Sequence, residues 1–158
     1  MRIGSGFDAH RYSAEAAGDG IMLGCVKVPC RYGVIAHSDG DVIVHALCDA
    51  LLGAAALGDI GRHFPDTDPA FRDASGAGLL AATWEKVRAA GHTLGNADIT
   101  LIAEQPRVKD HIDAMCIAMA EVMKVDPSLI SVKATTTEQM GYIGREEGLA
   151  ALAVVLIL

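Results

Sequence analysis

The stretch that decides the fold is AHSDGDVIVHALCDALLG, residues 36–53, an apolar helical sequence that nevertheless carries several titratable side chains. Asp41, His45 and Asp49 are spaced by four residues, so a helix would align them along one side. Burying such groups without partners costs several kcal/mol each, so they must be stabilised by one another, by a metal ion or by a ligand. On spacing alone, the simplest interpretation is a core histidine, His45, paired with Asp41 or Asp49 one helical turn away.

The composition predicts one globular domain. The chain has 158 residues, of which 51% are hydrophobic and 21% charged, which is enough for one core and short for two. The formal net charge is −7 and Lys and Arg form no cluster, which argues against nucleic acid as a partner. A phosphorylated ligand would therefore need metal ions and backbone N–H groups as its positive partners.

Features that the sequence lacks predict the cellular compartment of the protein and the redox state of its cysteines. No apolar run approaches the roughly 20 residues that cross a bilayer, and the first ten residues lack the charged and apolar regions of a signal peptide. We therefore expect a cytoplasmic protein without a membrane partner. The four cysteines show no C-x-x-C pairing, which favours reduced structural thiols.

Helical and strand patterns alternate along the chain. The order favours a single α/β domain over residues 1–158 with a mixed sheet. The last strand, LAALAVVLIL, is apolar on both faces, which predicts burial on both, by helices on one side and other subunits on the other. The predicted strands are 1–10, one or two within 21–29, 92–106, 128–137 and 149–158; the predicted helices are about 39–57, capped by Ser38 or Asp39, 76–91, capped by Ser75, and 107–125, preceded by Pro106; residues 58–76 are predicted to be a long loop.

Asp8, His10 and His45 form a candidate metal site. Positions i and i+2 of an extended segment point the same way, so Asp8 and His10 can face one ion. His45, on the following helix, is the natural third ligand. Two imidazoles and one carboxylate with an open position suit catalytic zinc, but they also suit non-haem iron.

Two further segments favour binding of phosphate and hydroxyl groups. In KATTTEQMG, residues 133–141, a strand rich in Thr runs into a glycine loop, where hydroxyls and Glu138 could hold phosphate oxygens and a hard cation. In FPDTDP, residues 64–69, two carboxylates lie in a proline-containing loop and could bind a polyol. An exposed β-branched strand and a solvated acidic turn are the simpler alternatives. GSGFD lacks the third glycine and the helix of a dinucleotide-binding motif.

Four motifs together resemble one family. GFDAHR at 6–11, residues 36–61, FPDTDP at 64–69 and KATTTEQMGYIGREEG at 133–148 are similar to the 2-C-methyl-D-erythritol 2,4-cyclodiphosphate synthases of the non-mevalonate isoprenoid pathway. The resemblance covers essentially the whole chain in the same order. It implies a mainly four-stranded sheet with helices on one face, and sheets packed around the three-fold axis of a homotrimer. Active sites are expected between neighbouring subunits.

The resemblance also implies the reaction. The family converts 4-diphosphocytidyl-2-C-methyl-D-erythritol 2-phosphate into the cyclic diphosphate and CMP, by attack of the 2-phosphate on the β-phosphorus. Because that phosphate is already ionised at neutral pH, positioning and charge neutralisation would carry the catalysis. Asp8, His10 and His45 correspond to zinc ligands, and Glu138 corresponds to the ligand of a second divalent ion, Mg²⁺ or Mn²⁺.

The remaining site residues follow from the same resemblance. His37 and Thr136 correspond to catalytic positions that stabilise the transition state. Glu146 stands where glycine is common in the family, and an axial cavity near Arg145 could bind an isoprenoid phosphate. The implied substrate-binding residues are Asp8, His10, His37, Ser38, Asp49, Asp59, Ile60, Gly61, Phe64, Pro65, Asp66, Thr67 and Asp68 on the methylerythritol and phosphate side, and Ala103, Glu104, Gln105, Pro106, Arg107, Val108, Lys109, Thr135, Thr136, Thr137, Glu138, Tyr142 and Arg145 on the cytidine side.

Two other functions stay open at this level. A metal-dependent phosphohydrolase would use the same ligands but let water attack the phosphorus. A trimeric binder of isoprenoid phosphates or metal ions would have the same site without turnover.

Overall fold

A five-stranded mixed sheet with helices packed on one face forms the core of the computed structural model, which describes residues 1–15, 18–65 and 74–158. A separate two-stranded hairpin lies beside it. The strands are β1 (Arg2–Tyr12), β2 (Ile21–Leu23), β3 (Val26–Val28), β4 (Val34–Ile35), β5 (Leu94–Ile102), β6 (Ile130–Thr135) and β7 (Gly148–Ile157); the helices are α1 (Val42–Ala54), α2 (Ile60–His63), α3 (Gly76–Ala89), α4 (Ile112–Met123) and α5 (Gly141–Gly144).

The large sheet has the strand order β4-β1-β7-β5-β6. Among the strands that the structure describes, β5 and β6 pair in parallel and the other pairs of this sheet are antiparallel. Four of the strands are long and β4 has two residues, so the mixed, mainly four-stranded sheet predicted from the sequence is confirmed. Because β5 and β6 are parallel, the segments that follow them, 103–109 and 136–140, leave the sheet at the same edge.

Two glycines on β1 let the first long helix lie directly on the sheet. A Cβ atom on Gly4 would lie 2.0 Å from the carbonyl oxygen of Ala50, and one on Gly6 would lie 2.0 Å from that of Ala46. Any larger residue would therefore push α1 away from β1. The glycines of GSGFD thus serve close helix–strand packing, which brings His45 of α1 within reach of β1.

Helix α1 begins at Val42, later than predicted, and Asp41 is its N-cap, not Ser38 or Asp39. The Asp41 carboxylate is fully buried. It accepts hydrogen bonds from the backbone N–H of Val44 at 3.1 Å, Gly24 at 2.8 Å and Cys25 at 2.7 Å. Asp41 therefore joins the β2–β3 hairpin to the start of α1, and backbone amides stabilise its charge.

Two other boundaries differ from the sequence-based prediction. The third long helix begins at Ile112, after a 3₁₀ turn at Lys109–His111, instead of directly after Pro106. Pro106 and Val108 are both buried, an alternation that suits an irregular segment packed on the core better than a helix. The predicted loop after α1 contains the short helix α2, whose N-cap Asp59 accepts a hydrogen bond from the N–H of Arg62.

One face of the sheet is covered by helices and the other is open in the single chain. On β7, Leu149, Ala151 and Val155 are buried, whereas Leu152 and Val154 are 43% and 42% exposed. Within one chain, β7 is therefore buried on one face, whereas the sequence predicts burial on both. We define the open apolar face as Ile3, Phe7, Leu152, Val154 and Leu156, where Ile3 pairs with Leu156 and Phe7 with Leu152 across β1 and β7.

The structure also bears on the cysteines and on membrane-spanning helices. All four cysteines are free, as their spacing indicated. Among the described helices, none combines the length and apolarity that a bilayer crossing needs.

Candidate active site

Asp8, His10 and His45 converge on one point, as the sequence predicted. Asp8 and His10 lie two residues apart on β1, and His45 is one turn into α1. The Nδ1 atom of His45 lies 3.0 Å from the Oδ2 atom of Asp8 and 3.0 Å from the Nε2 atom of His10. The Nε2 atom of His10 is 3.2 Å from the same carboxylate oxygen.

These three atoms fit a metal ion. In a tetrahedral site with bonds of 2.0–2.1 Å, ligand atoms lie roughly 3.3 Å apart, which is close to the observed separations. The three side chains form the group of possible metal ligands found among the described residues. A tetrahedral ion held by these three side chains would keep a fourth position for a ligand oxygen.

The other nitrogen of His45 is held by a serine. Ser38 Oγ lies 3.1 Å from the Nε2 atom of His45, so the hydroxyl fixes the ring orientation that turns Nδ1 toward Asp8 and His10. The alternative interpretation of the spacing, a core histidine paired with Asp41 or Asp49, does not hold. Asp41 is occupied by backbone amides, and Asp49 accepts from the N–H of Ile60 at 2.8 Å.

The electrostatics of the cluster favour an ionised carboxylate. Burial raises the pKa of Asp8, but the hydrogen bond from His45 and the charges of His10 and His45 outweigh it and lower the pKa overall. Burial dominates at His10 and lowers the pKa of its ring, which favours the neutral form that binds metals. Burial also lowers the pKa of His45, but the hydrogen bond to Asp8 and the nearby carboxylates raise it overall.

The cluster lies in a cleft of about 440 Å³, which we call the metal cleft. Most of the residues predicted for the methylerythritol and phosphate side meet here. Asp49 and Asp59 are not among the lining residues: Asp49 accepts from the N–H of Ile60, and Asp59 caps α2. Besides Leu79, the cleft is lined by Asp8, His10, Ile35, Ala36, His37, Ser38, His45, Ile60, Gly61 and Phe64.

Asp39 has a role that the sequence did not indicate. Its Oδ2 atom accepts from the N–H of Gly76 at 2.7 Å, and its Oδ1 atom accepts from the N–H of Asp41 at 3.3 Å. The turn that carries His37 and Ser38 is thereby joined to the start of α3. The two partners are far apart in sequence, so no local pattern could have revealed this contact.

A second cleft of about 440 Å³, which we call the edge cleft, lies where β5 and β6 end. Most of the residues predicted for the cytidine side meet there. Gln105 lines a neighbouring cavity instead, together with Arg31 and Pro106. The edge cleft is lined by Ala103, Glu104, Pro106, Arg107, Val108, Lys109, Ile112, Ala134, Thr135 and Thr136.

Glu138 lies on an exposed turn beside the edge cleft. The hydroxyl of Thr136 lies 3.3 Å from the Oε1 atom of Glu138 and also accepts from the Glu138 N–H at 3.2 Å. Glu138 and Gln139 both have a left-handed backbone, with φ values of 53° and 64°. The Oε1 atom of Glu104 accepts from the N–H groups of Thr137 and Gln139, both at 3.1 Å.

The last predicted contacts lie near α5. Tyr142 is 44% exposed, and the Nε atom of Arg145 donates to Glu147 at 2.7 Å. Glu146, where the resemblance leads one to expect glycine, has a φ of 54°, a left-handed conformation that glycine adopts most easily. Its carboxylate accepts from the hydroxyl of Tyr32 at 2.6 Å, which compensates for the unfavourable backbone.

The two clefts are separate within one chain. Asp8 pairs with Ala151, Ala151 with Leu101, and Leu101 with Ala134. Asp8 and Ala134 therefore lie on one row of the sheet but three strand spacings apart, roughly 14 Å. The predicted site residues are thus gathered into two groups and not into one.

The remaining predicted residues belong to the segment after α2. Pro65 directly follows Phe64, which lines the metal cleft, and the predicted residues Asp66, Thr67 and Asp68 lie outside the described residues.

Comparisons with known proteins agree with one another. A family model described as the YgbB family matches residues 1–158. A relative from Azotobacter vinelandii, named 2-C-methyl-D-erythritol 2,4-cyclodiphosphate synthase, is 54% identical over 158 residues, which cover 100% of this chain and 99% of that protein. The bifunctional IspDF of Campylobacter jejuni is similar in structure, with a TM-score of 0.93, 44% identity, and coverage of 99% of this chain and 42% of that one. IspF of Plasmodium falciparum in complex with CDP has a TM-score of 0.85 and 32% identity over 99% of this chain and 95% of that one.

Proposed function

Because the chain belongs to the YgbB family, we infer that it converts 4-diphosphocytidyl-2-C-methyl-D-erythritol 2-phosphate into 2-C-methyl-D-erythritol 2,4-cyclodiphosphate and CMP. It is accordingly a cyclising phosphorus–oxygen lyase of isoprenoid precursor biosynthesis, and we expect it to work in the cytoplasm. The observation that carries this inference is the cluster of Asp8, His10 and His45 at the base of an open cleft, in a chain 54% identical to a named synthase.

The proposed metal ligands are divided between the two clefts. Asp8, His10 and His45 would hold Zn²⁺ in the metal cleft, and Glu138 would hold Mg²⁺ or Mn²⁺ beside the edge cleft. When bound, such ions neutralise phosphate charge and polarise phosphorus–oxygen bonds. The two-imidazole, one-carboxylate set suits zinc, and the single exposed carboxylate of Glu138 suits a harder ion that keeps several waters and substrate oxygens.

The other residues position the substrate. His37, on the wall of the metal cleft, would donate a hydrogen bond to charge that develops on the phosphates. Thr136, on the edge cleft, would do the same from the opposite side. A preorganised donor of this kind is worth about 3 kcal/mol in the transition state. Ala103 to Lys109 would surround the cytosine. A CDP-type ligand is supported by the relative from Plasmodium falciparum, which is described in complex with CDP.

We propose that the working form is a homotrimer with active sites at the subunit interfaces. In the proposed reaction the ions of the two clefts would act on one diphosphate, yet the clefts lie about three strand spacings apart in a single chain. Association of copies would bring the metal cleft of one chain to the edge cleft of another. The open apolar face, with Phe7 56% exposed, supplies a surface that association would cover. An axial cavity near Arg145 would then be a place for an isoprenoid phosphate.

Phosphorus NMR of the product tests the function. The enzyme with both ions and the CDP substrate should yield CMP and a cyclic diphosphate. A phosphohydrolase would yield open-chain phosphates, and a binding protein would leave the substrate unchanged. Either of these two spectra would reject the proposed reaction.

The replacement Glu138→Ala is expected to raise the Mg²⁺ or Mn²⁺ concentration for half-maximal activity by about tenfold or more, because the ion loses its carboxylate ligand. Zinc content should not change, since Glu138 is remote from the metal cleft in its own chain. Glu121→Ala, on the exposed side of α4, serves as the matched control. An unchanged metal titration in Glu138→Ala would remove Glu138 from the site.

Mixing His45→Ala with Glu138→Ala tests the shared site, at a Mg²⁺ concentration low enough that Glu138→Ala alone shows no activity. His45→Ala chains keep Glu138, and Glu138→Ala chains keep the zinc cluster, so a mixed trimer contains interfaces with both intact halves. Co-refolding the two is expected to restore about a quarter of the native activity at random mixing. The same two proteins mixed after separate assembly are the control. Co-refolded samples no more active than that control would show that each chain builds its site alone.

A further inference from the structure

We propose that Glu104 is a positioning residue that sets the orientation of Glu138 and thereby the affinity for the second divalent cation; this rests on the proposed role of Glu138. Glu104 follows β5, and Glu138 follows β6. A single carboxylate oxygen of Glu104 accepts from the N–H of Thr137 and from the N–H of Gln139, both at 3.1 Å, and the hydroxyl oxygen of Thr137 lies 3.3 Å away. Glu104 thus holds the backbone on both sides of Glu138.

The turn needs such support because its backbone is unfavourable. Glu138 and Gln139 are consecutive residues with positive φ, a conformation that residues with a Cβ atom adopt reluctantly. Residues in this region persist only where their surroundings over-determine them, and such residues cluster at functional sites. In the absence of the Glu104 bonds, the peptide groups flanking Glu138 would be free to relax toward commoner conformations.

Apart from the bond from the Gly144 N–H to the carbonyl of Met140 at 3.1 Å, the remaining hydrogen bonds described for the turn are local. Thr137 Oγ1 donates to the carbonyl of Met140 at 2.7 Å, and the Met140 N–H donates to the carbonyl of Thr137 at 3.0 Å. Thr136 contacts the Glu138 carboxylate itself. These local bonds all join residues within positions 136–140, so they can move together with the turn. Among the side-chain hydrogen bonds described for the turn, those of Glu104 are the ones that reach a different element.

Glu104 itself stands on a fixed support. The N–H of Ala103 donates to the carbonyl of Thr135 at 3.0 Å, which extends the β5–β6 ladder to the residue before Glu104. Ala103 is buried. The sheet therefore defines where the Glu104 side chain starts, and its carboxylate oxygen is occupied by backbone donors. This arrangement assigns Glu104 to holding the turn, with Glu138 left as the group that meets the cation.

The comparison of Glu104→Ala with Glu104→Gln tests the proposal on the full-length, zinc-loaded protein. Glutamine keeps an oxygen that can accept the same bonds, whereas alanine removes it. In Glu104→Ala we expect faster hydrogen exchange in a peptide spanning 135–140. We also expect Mn²⁺ affinity in the presence of CDP, measured by electron paramagnetic resonance, to fall by about tenfold or more, the range for losing a group that orients a ligand.

The conservative variant and a control complete the design. Glu104→Gln should stay within about threefold of the native Mn²⁺ affinity, and zinc content should be native in both variants. Glu121→Ala controls for loss of an acidic side chain. Unchanged Mn²⁺ affinity in Glu104→Ala would overturn the proposal, and so would an equal loss in Glu104→Gln, since the charge would then act directly. Failure of the proposed reaction would be visible separately, as absence of cyclic product from the native enzyme.

Discussion

Replacing His45 with alanine is expected to abolish tight zinc binding and to lower turnover by about 10³-fold or more, because metal polarisation of a phosphoryl oxygen is worth several kcal/mol. The Nδ1 atom of His45 is in contact with both Asp8 and His10, so its removal leaves two ligands on one strand. These two cannot enclose an ion from a second direction. The fold should survive, since α1 stays anchored by Asp41 and by its packing on Gly4 and Gly6.

Elemental analysis for zinc and thermal melting measure the two parts of this expectation. His111→Ala is the matched control, because His111 lies at the start of α4, away from the metal cleft. The control should retain zinc and activity. One full equivalent of zinc per chain in His45→Ala would contradict the ligand set, whatever the activity.

Gly6→Ala is expected to damage both stability and the metal site although it adds only a methyl group. The new Cβ atom would lie 2.0 Å from the carbonyl oxygen of Ala46 and 2.7 Å from the backbone nitrogen of Ala50. Backbone atoms cannot rotate away, so α1 must retreat as a unit, and His45 precedes Ala46 directly. We expect the melting temperature to fall by roughly 6–12 °C, the shift that about 3 kcal/mol produces in a domain of this size.

Gly53→Ala on the same helix is the matched control. Its Cβ would have one neighbour within 4 Å, the carbonyl oxygen of Ser5 at 3.9 Å. Glycine to alanine in an exposed helical position stabilises by up to about 1 kcal/mol, so this variant should melt at or above the native temperature. Calorimetry and zinc titration of the pair measure the difference. Native zinc affinity in Gly6→Ala would show that His45 does not depend on this close packing.

The Asp8 and His10 half of the metal cluster could be predicted from local sequence, whereas His45 lies on another element 35 positions away and its assignment depended also on the family resemblance. The spacing of Asp8 and His10 suits one face of a strand, and the helical pattern around His45 predicts a neighbouring element. The supporting contacts were not predictable in the same way. Ser38 holds His45 through a turn whose shape depends on Asp39 and α3, and helix-capping preferences alone could not choose Asp41 over its neighbours.

At the edge cleft, too, the supporting contacts could not be predicted from local sequence. The family resemblance marked Glu104 as part of a binding segment, but its bonds to Thr137 and Gln139 span more than thirty positions. They exist because β5 and β6 are parallel neighbours, which depends on the order of the whole sheet. The separation of the two clefts also follows from that order. Local pattern therefore indicated which residues matter, whereas topology determined how they are grouped.

The open apolar face has a kinetic consequence for how the protein matures. A new chain can complete its own sheet and helices in a step that does not depend on concentration. In the proposed assembly, however, the metal cleft meets an edge cleft only after encounters between copies. The onset of activity would then depend on chain concentration to a power above one, and it would slow on dilution. Until assembly is finished, Ile3, Phe7 and Leu152 stay accessible to hydrophobic surfaces of other proteins.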